Sequence, residues 1–261
     1  MVDFRITVLV EDTAGGRGLL AEHGLSFWIE WGQKRILFDT GQGYALKHNA
    51  QALGLQLETL GDIVLSHGHY DHNGGLPDAL ALAHRPRVYV HPQAFAPKFG
   101  QNADGSARNV GMPDSTTQAL RTHDRLGCVD KPTEIGEGLW CTGPIPRTND
   151  YEDTGGTFFK DESCRQPDDL AIFLETRTGT VVILGCAHAG VINTLHYIRA
   201  LTENSPIHAV VGGDAFTSCK SEADGDDGRG VAPTGCQAAD AVPLHRIRGR
   251  GMAMAGIPRL L

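Results

Sequence analysis

Ser66-His67-Gly68-His69-Tyr70-Asp71-His72 places three imidazoles and a carboxylate within six consecutive positions. Imidazole nitrogen and carboxylate oxygen are the donors that suit zinc and similar divalent ions. The run follows the apolar stretch Ile63-Val64-Leu65 and precedes Asn73-Gly74-Gly75. It therefore reads as a strand end that opens into a loop and then a helix. On an extended backbone alternate side chains share a face, so His67 and His69 can reach one ion together. Asp71 and His72, beyond the bend, are placed to reach a second. The expected cofactor is one or two divalent cations, Zn2+ first, with Fe2+ or Mn2+ as alternatives.

The motif His67-Gly68-His69-Tyr70-Asp71-His72 resembles the HxHxDH signature of the metallo-β-lactamase fold. Further segments narrow the resemblance: Glu11-Asp12, Ala21 to Phe27, Phe38-Asp39-Thr40-Gly41, and Gly185-Cys186-Ala187-His188-Ala189-Gly190. Together they look like the branch labelled 7,8-dihydropterin-6-methyl-4-(β-ribofuranosyl)-aminobenzene-5′-phosphate synthase-like metal-dependent hydrolases. The resemblance runs from about residue 4 to residue 213. It implies an αββα sandwich, a four-layer α/β fold of two mixed sheets flanked by helices.

The elements that must position these residues follow from hydrophobic pattern. Ile6 to Val10 reads as a first strand, and Leu25 to Glu30 with Lys34 to Asp39 as a hairpin turning at Trp31-Gly32-Gln33. Helices are expected at Tyr44 to Leu53, Leu76 to His84 and Val191 to Leu201, and strands at Arg87 to Val90, near Leu139 to Cys141 and at His208 to Val211. Leu170 to Glu175 and Thr180 to Leu184 form a second hairpin. A weak internal repeat emerges: hairpin, helix and strand from Phe27 onward, then again from Ile172 onward. Two β-rich halves packed face to face would satisfy it. Residues 94–130 are Gly-, Asn-, Asp-, Ser- and Pro-rich and read as a substrate-covering insertion without a core of its own.

Outside the central run, His188 is the strongest candidate. It follows the apolar strand Val181 to Leu184 and opens a helix. By position either Cys186 or His188 supplies a further ligand, and His188 is favoured because a lone buried cysteine usually packs as a small hydrophobe. Asp39, at a strand end, suits acceptance of an N–H from a metal-bound imidazole. Arg147 and Glu152 belong to a loop expected to face the metal site, where an arginine can grip a substrate phosphate or carboxylate in a bidentate manner. A surface salt bridge accounts for Arg147 as well. His23 is a candidate pocket residue, and His91 sits at a strand end.

The 261 residues are 41% hydrophobic and 21% charged, enough for a sizeable core. A formal charge of -8 with no basic run argues against nucleic acid as the main partner. The start Met1-Val2-Asp3-Phe4-Arg5 has no signal-peptide character, and no apolar run approaches a membrane span. The six cysteines lack CxxC spacing, so a disulfide framework is not expected. A cytoplasmic protein acting on a small molecule is the expectation, its oligomeric state open.

The functional expectation is hydrolysis of an ester, lactone, thioester or phosphoester by metal-activated hydroxide. Asp71 is the catalytic residue, His67, His69, Asp71, His72 and His188 the metal ligands, and Arg147 the substrate-binding residue. Alternatives are the pterin-related synthase and a metal-binding protein with weak or lost catalysis. Residues 214–261 depart from the family pattern, which places a ligating His after the strand ending near Gly213. Glu222 to Gly230 is Gly- and Asp-rich, and apolar periodicity fades. Codons allowed for Asp214-Ala215-Phe216, read one base later, can spell Met-His. The segment is therefore read either as an out-of-frame translation or as a divergent terminus with Asp214 as an oxygen ligand.

Overall fold

The computed structural model describes residues 4–152 and 168–212. Its first half runs β1 (Phe4–Val10), β2 (Ser26–Trp31), β3 (Lys34–Phe38), α1 (Leu46–Ala52), β4 (Asp62–Val64), α2 (Tyr70–Asn73), α3 (Leu76–Leu82) and β5 (Arg87–Val90). Then come β6 (Phe99–Gln101), β7 (Ala107–Asn109), α4 (Asp114–Thr122) and β8 (Leu126–Cys128). The second half comprises β9 (Thr133–Gly136), β10 (Leu139–Cys141), β11 (Ala171–Thr176), β12 (Gly179–Leu184), α5 (Val191–Leu201) and β13 (Ile207–Val211).

Two mixed sheets result, ordered β1-β2-β3-β4-β5-β8 and β13-β12-β11-β10-β9. Strand alternation explains how they stack. Phe27, Ile29, Ile36 and Phe38 join Ile172, Leu174, Val181 and Ile183 in one cluster between the sheets. Their neighbours Trp28 and Leu37 point the other way, onto Leu46 and Ala50 of α1, Leu76 and Ala79 of α3, and Leu120 of α4. On the second sheet Phe173, Val182 and Leu184 likewise face Val191 and Ile198 of α5. Both faces of each central strand are covered, which is why these strands read as continuous apolar runs. Each fully buried Phe, Ile or Leu contributes about 1.5–3 kcal/mol relative to exposure. The layers are α, β, β, α.

The internal repeat has a structural counterpart. β2 and β3 pair antiparallel, and β4 returns parallel to β3 after α1. β11 and β12 pair antiparallel, and β13 returns parallel to β12 after α5. Residues 94–130 are less separate than their composition implied. Phe99–Gln101 and Ala107–Asn109 make a small two-stranded ribbon, but β8 extends the first sheet beside β5. α4 covers that sheet through the fully buried Leu120. A single apolar anchor in a polar helix was too weak a periodic signal to register. The reading of residues 214–261, with Asp214 as a ligand, lies outside the described residues.

Candidate metal centre

The carboxyl ends of β3, β4 and β12 meet at one edge of the sandwich, where ligands gather in open α/β sheets. β3 delivers Asp39, β4 delivers Ser66 and the His67–His72 run, and β12 delivers Cys186 and His188. Backbone bonds join the loops: Asp39 N–H donates to the Val64 carbonyl at 2.8 Å, Thr40 N–H to His72 at 2.7 Å, and Leu170 N–H to Ser66 at 2.8 Å. Gly185 permits a close approach of the β12 and β4 ends, because a Cβ there would meet Ser66 Oγ at 2.4 Å.

Asp39 organises the interior. Its φ of 59° is left-handed, a conformation that Asp tolerates better than most residues. One oxygen accepts the Ser66 N–H at 2.7 Å, and the other accepts the Ser66 hydroxyl at 2.6 Å and the His72 Nδ1–H at 2.7 Å. With its hydroxyl proton committed to Asp39, Ser66 Oγ accepts from His67 Nδ1 at 2.8 Å. His67 thereby presents an Nε2 lone pair outward, and His72 directs its Nε2 at Cys186. Second-sphere carboxylates fix metal-ligating imidazoles in this way.

Four imidazoles crowd the opening. His67 Nε2 lies 2.9 Å from His69 Nδ1. The His188 ring centroid is 4.7 Å from that of His67 and 4.8 Å from that of His69. His72 is 4.3 Å from His67, and its Nε2 is 2.9 Å from Cys186 Sγ. Donor atoms of His67, Cys186 and His188 all fall within 4.8 Å of one another. Cys186 and His188, weighed as alternatives from sequence, arrive together.

Burial pushes the pKa of His67 well below the ordinary value, that of His69 down to about 2 and that of His188 down to about 3, with neighbouring rings and Lys98 adding to the effect. These rings are neutral, the protonation state that ligates metal. Burial opposes charge on His72 as well, yet Cys186 and Asp39 outweigh it and raise that ring. Nitrogen donors converging beside a thiol fit a divalent cation of the zinc type.

Asp71 is turned toward the mouth. Its Oδ2 lies 3.4 Å from His23 Nε2 and 3.7 Å from His72 Nε2, and it is not one of the donors grouped tightly with His67 among the described residues. The Glu152 carboxylate accepts the Ile192 and Asn193 N–H groups at 2.7 and 3.0 Å, capping α5. Arg147 Nη2 donates to the His188 carbonyl at 3.3 Å, beneath the ligand loop. His91 caps a short 3-10 turn through the Gln93 N–H.

Three contributors carried no spacing signal. Lys98 Nζ pairs with Asp168 at 2.9 Å, and both side chains are buried. The same Asp168 oxygen accepts the Gly68 N–H at 2.9 Å, bracing the turn between the first two histidines. Asp169 accepts the Ala189 N–H at 2.7 Å, and burial raises its carboxyl to about 7. Only the adjacency of Asp168-Asp169 to a strand start hinted at them.

Residues 20–199 match the family model described as Metallo-beta-lactamase superfamily. An uncharacterised protein of Methanocaldococcus jannaschii, MJ0448, is 32% identical over 209 residues, covering 80% of this chain and 78% of that one. The 7,8-dihydropterin-6-methyl-4-(beta-D-ribofuranosyl)-aminobenzene-5′-phosphate synthase of the same organism is 25% identical, covering 81% and 77%. The crystal structure of Tm1679, described as a metal-dependent hydrolase of the beta-lactamase superfamily, superposes with a TM-score of 0.67 at 30% identity, covering 85% and 80%. No helix among the described residues is long and apolar enough to cross a membrane. The family match, the identity to MJ0448 and the shared fold give one conclusion: this chain belongs to the metallo-beta-lactamase superfamily.

Proposed function

We propose that the protein is a metal-dependent hydrolase acting on a small-molecule ester, lactone, thioester or phosphoester. The observation that carries this reading is the convergence of His67, His69, His188 and Cys186 beside a His72 ring locked by Asp39. His67, His69 and His188 would hold one divalent cation with Cys186 close beside it, and Asp71 and His72 would serve a second. A divalent cation in such a site supplies a Lewis acid and brings the pKa of water from about 15.7 toward ~7.

The chain's own groups do the rest. Asp39 and Ser66 keep the His67 and His72 rings in one tautomer, so their Nε2 atoms stay available. Asp71, with an oxygen at the rim of the site, orients the attacking water. Asp168 holds the Gly68 N–H and so fixes the angle between His67 and His69. Arg147, on the loop under His188, is the group proposed to steady an anionic portion of the substrate. Zinc is the preferred ion, and the cytoplasm the proposed compartment.

A second reading, pterin-related synthesis, is favoured by the named synthase relative. The deciding experiment measures metal content by elemental analysis, then assays ester, lactone, thioester and phosphoester hydrolysis with and without chelator. Chelator-sensitive hydrolysis supports the first reading. Product formed only from the pterin and ribosyl-aminobenzene phosphate substrates supports the second. Absence of bound metal after loading sinks both.

A further inference from the structure

His23 stands on the outer side of the site between two carboxylates, Asp12 and Asp71, a looser and more exposed counterpart of the Asp39–His72 pair inside it. In the interior pair, a carboxylate 2.7 Å from Nδ1 turns Nε2 of His72 toward Cys186. In the outer pair, Asp12 Oδ1 lies 3.3 Å from His23 Nδ1, and His23 Nε2 points at Asp71 Oδ2, 3.4 Å away. A ligating imidazole characteristically donates its other N–H to a carboxylate, which fixes the tautomer and raises its basicity.

The loop carrying His23 is built to hold that pose. Asp12 Oδ1 also accepts the Gly24 N–H at 3.2 Å, tying ring and backbone to one carboxylate. Gly24 has φ +130°, and a Cβ there would meet the Asp71 carbonyl oxygen at 2.1 Å, so only glycine lets the loop lie against Asp71. The preceding Glu22 is clamped by the backbone N–H groups of Gln42, Gly43, Tyr44 and Ala45 at 3.1, 3.3, 2.9 and 3.1 Å. Gln42 Nε2 donates to the His23 carbonyl at 2.6 Å.

We propose that His23 is a ligand of an outer divalent-cation position, shared with Asp71 and His72 and oriented by Asp12. The assignment rests on the metal-dependent reading above and extends it to a residue outside the His67–His72 run. The three donors differ in kind from the inner set: two imidazoles and a carboxylate, with the His23 ring 61% exposed. The outer ion is therefore the more exchangeable of the two and the one a substrate meets first.

Cobalt(II) titration of the full chain, stripped with chelator, tests this. The wild type should take up two equivalents in distinguishable steps. His23→Ala should keep the first step and weaken the second by more than about a hundredfold. Because the ring is exposed, free imidazole should restore the second step and its visible absorption. Asp12→Asn, which leaves the ligand but not its orientation, should weaken the second step by about tenfold to a hundredfold. Unchanged second-step affinity in His23→Ala, failure of imidazole rescue, or a wild type that binds one ion only would each overturn the assignment while leaving the inner site intact. A wild type that binds none would instead overturn the metal-dependent reading itself.

Discussion

Asp39 Oδ2 lies 2.7 Å from His72 Nδ1, and both side chains are almost completely closed to solvent. That pair links the fold to the chemistry. The carboxylate that stitches β3 to β4 through Ser66 also aims a candidate metal ligand.

Replacing Asp39 should therefore separate two effects. Asp39→Asn keeps a residue that tolerates φ near 59°, but an amide nitrogen cannot accept the His72 N–H. Metal affinity should fall about 10–100-fold with modest loss of stability. Asp39→Ala also leaves the buried Ser66 N–H without its partner and should cost a further ~1–3 kcal/mol. Denaturant melts and chelator competition on both variants check this. Equal metal affinity in wild type and Asp39→Asn would contradict it.

Cys186 and His188 make separable predictions. A thiolate bound to cobalt(II) gives a near-ultraviolet charge-transfer band, and metal deprotonates a coordinating thiol outright, although burial raises the free Cys186 thiol. The cobalt-loaded wild type should show that band and Cys186→Ser should lack it. His188→Ala should retain the band but lose inner-site affinity. A wild-type spectrum without the band removes Cys186 from the ligand set.

Stability of the metal-free protein should peak near pH 6.5–7. Below the ordinary imidazole pKa of 6.5 the unfolded chain protonates His67, His69 and His188, whereas the folded chain, with His69 at about 2 and His188 at about 3, does not. Unfolding then takes up protons, and stability falls as pH falls. Asp169, raised to about 7, opposes this because the folded state keeps its proton while the unfolded state loses it. Three groups outweigh one. Above 6.5 the raised His72 acts in the other direction, its contribution fading as pH climbs through its folded pKa. Thermal melts from pH 4 to 9 in chelator should trace this maximum, and bound metal should raise the curve without flattening its acid side, because metal-bound imidazoles carry no proton either. A melting temperature that rose steadily from pH 7 to pH 4 would show the sign to be wrong.

Gly185→Ala should damage the site without touching a ligand. The new Cβ would sit 2.4 Å from Ser66 Oγ and 3.4 Å from Asp39 Oδ2, pushing apart the ends of β12 and β4. Overpacking of this kind costs about 1–3 kcal/mol. Metal affinity should drop together with stability. Wild-type affinity in a stably folded Gly185→Ala protein would show that the two loops can separate freely.

Much of this was legible in one dimension. The alternation of Phe27, Ile29, Ile36 and Phe38 with Trp28 and Leu37 fixes hairpin, register and two-sided burial, because strand periodicity is local. The short spacing within His67–His72 puts donors on one loop for the same reason. α4 is not legible because one buried leucine in nine residues makes no pattern, and nothing local announces that Glu152 caps α5.

What sequence alone could not decide is which distant residues complete the centre. Cys186 reaches His72 across 114 positions, Asp168 reaches Gly68 across 100, and Lys98 joins Asp168 with no spacing to announce it. Those meetings depend on two sheets stacking with the carboxyl ends of β3, β4 and β12 at one edge, a packing result that no local window contains. Local periodicity specified the elements and the central ligands. The partners that neutralise, orient and brace them were chosen by burial, since only in the folded interior do a charged lysine, a carboxylate and a peptide N–H have no water to turn to and must satisfy one another.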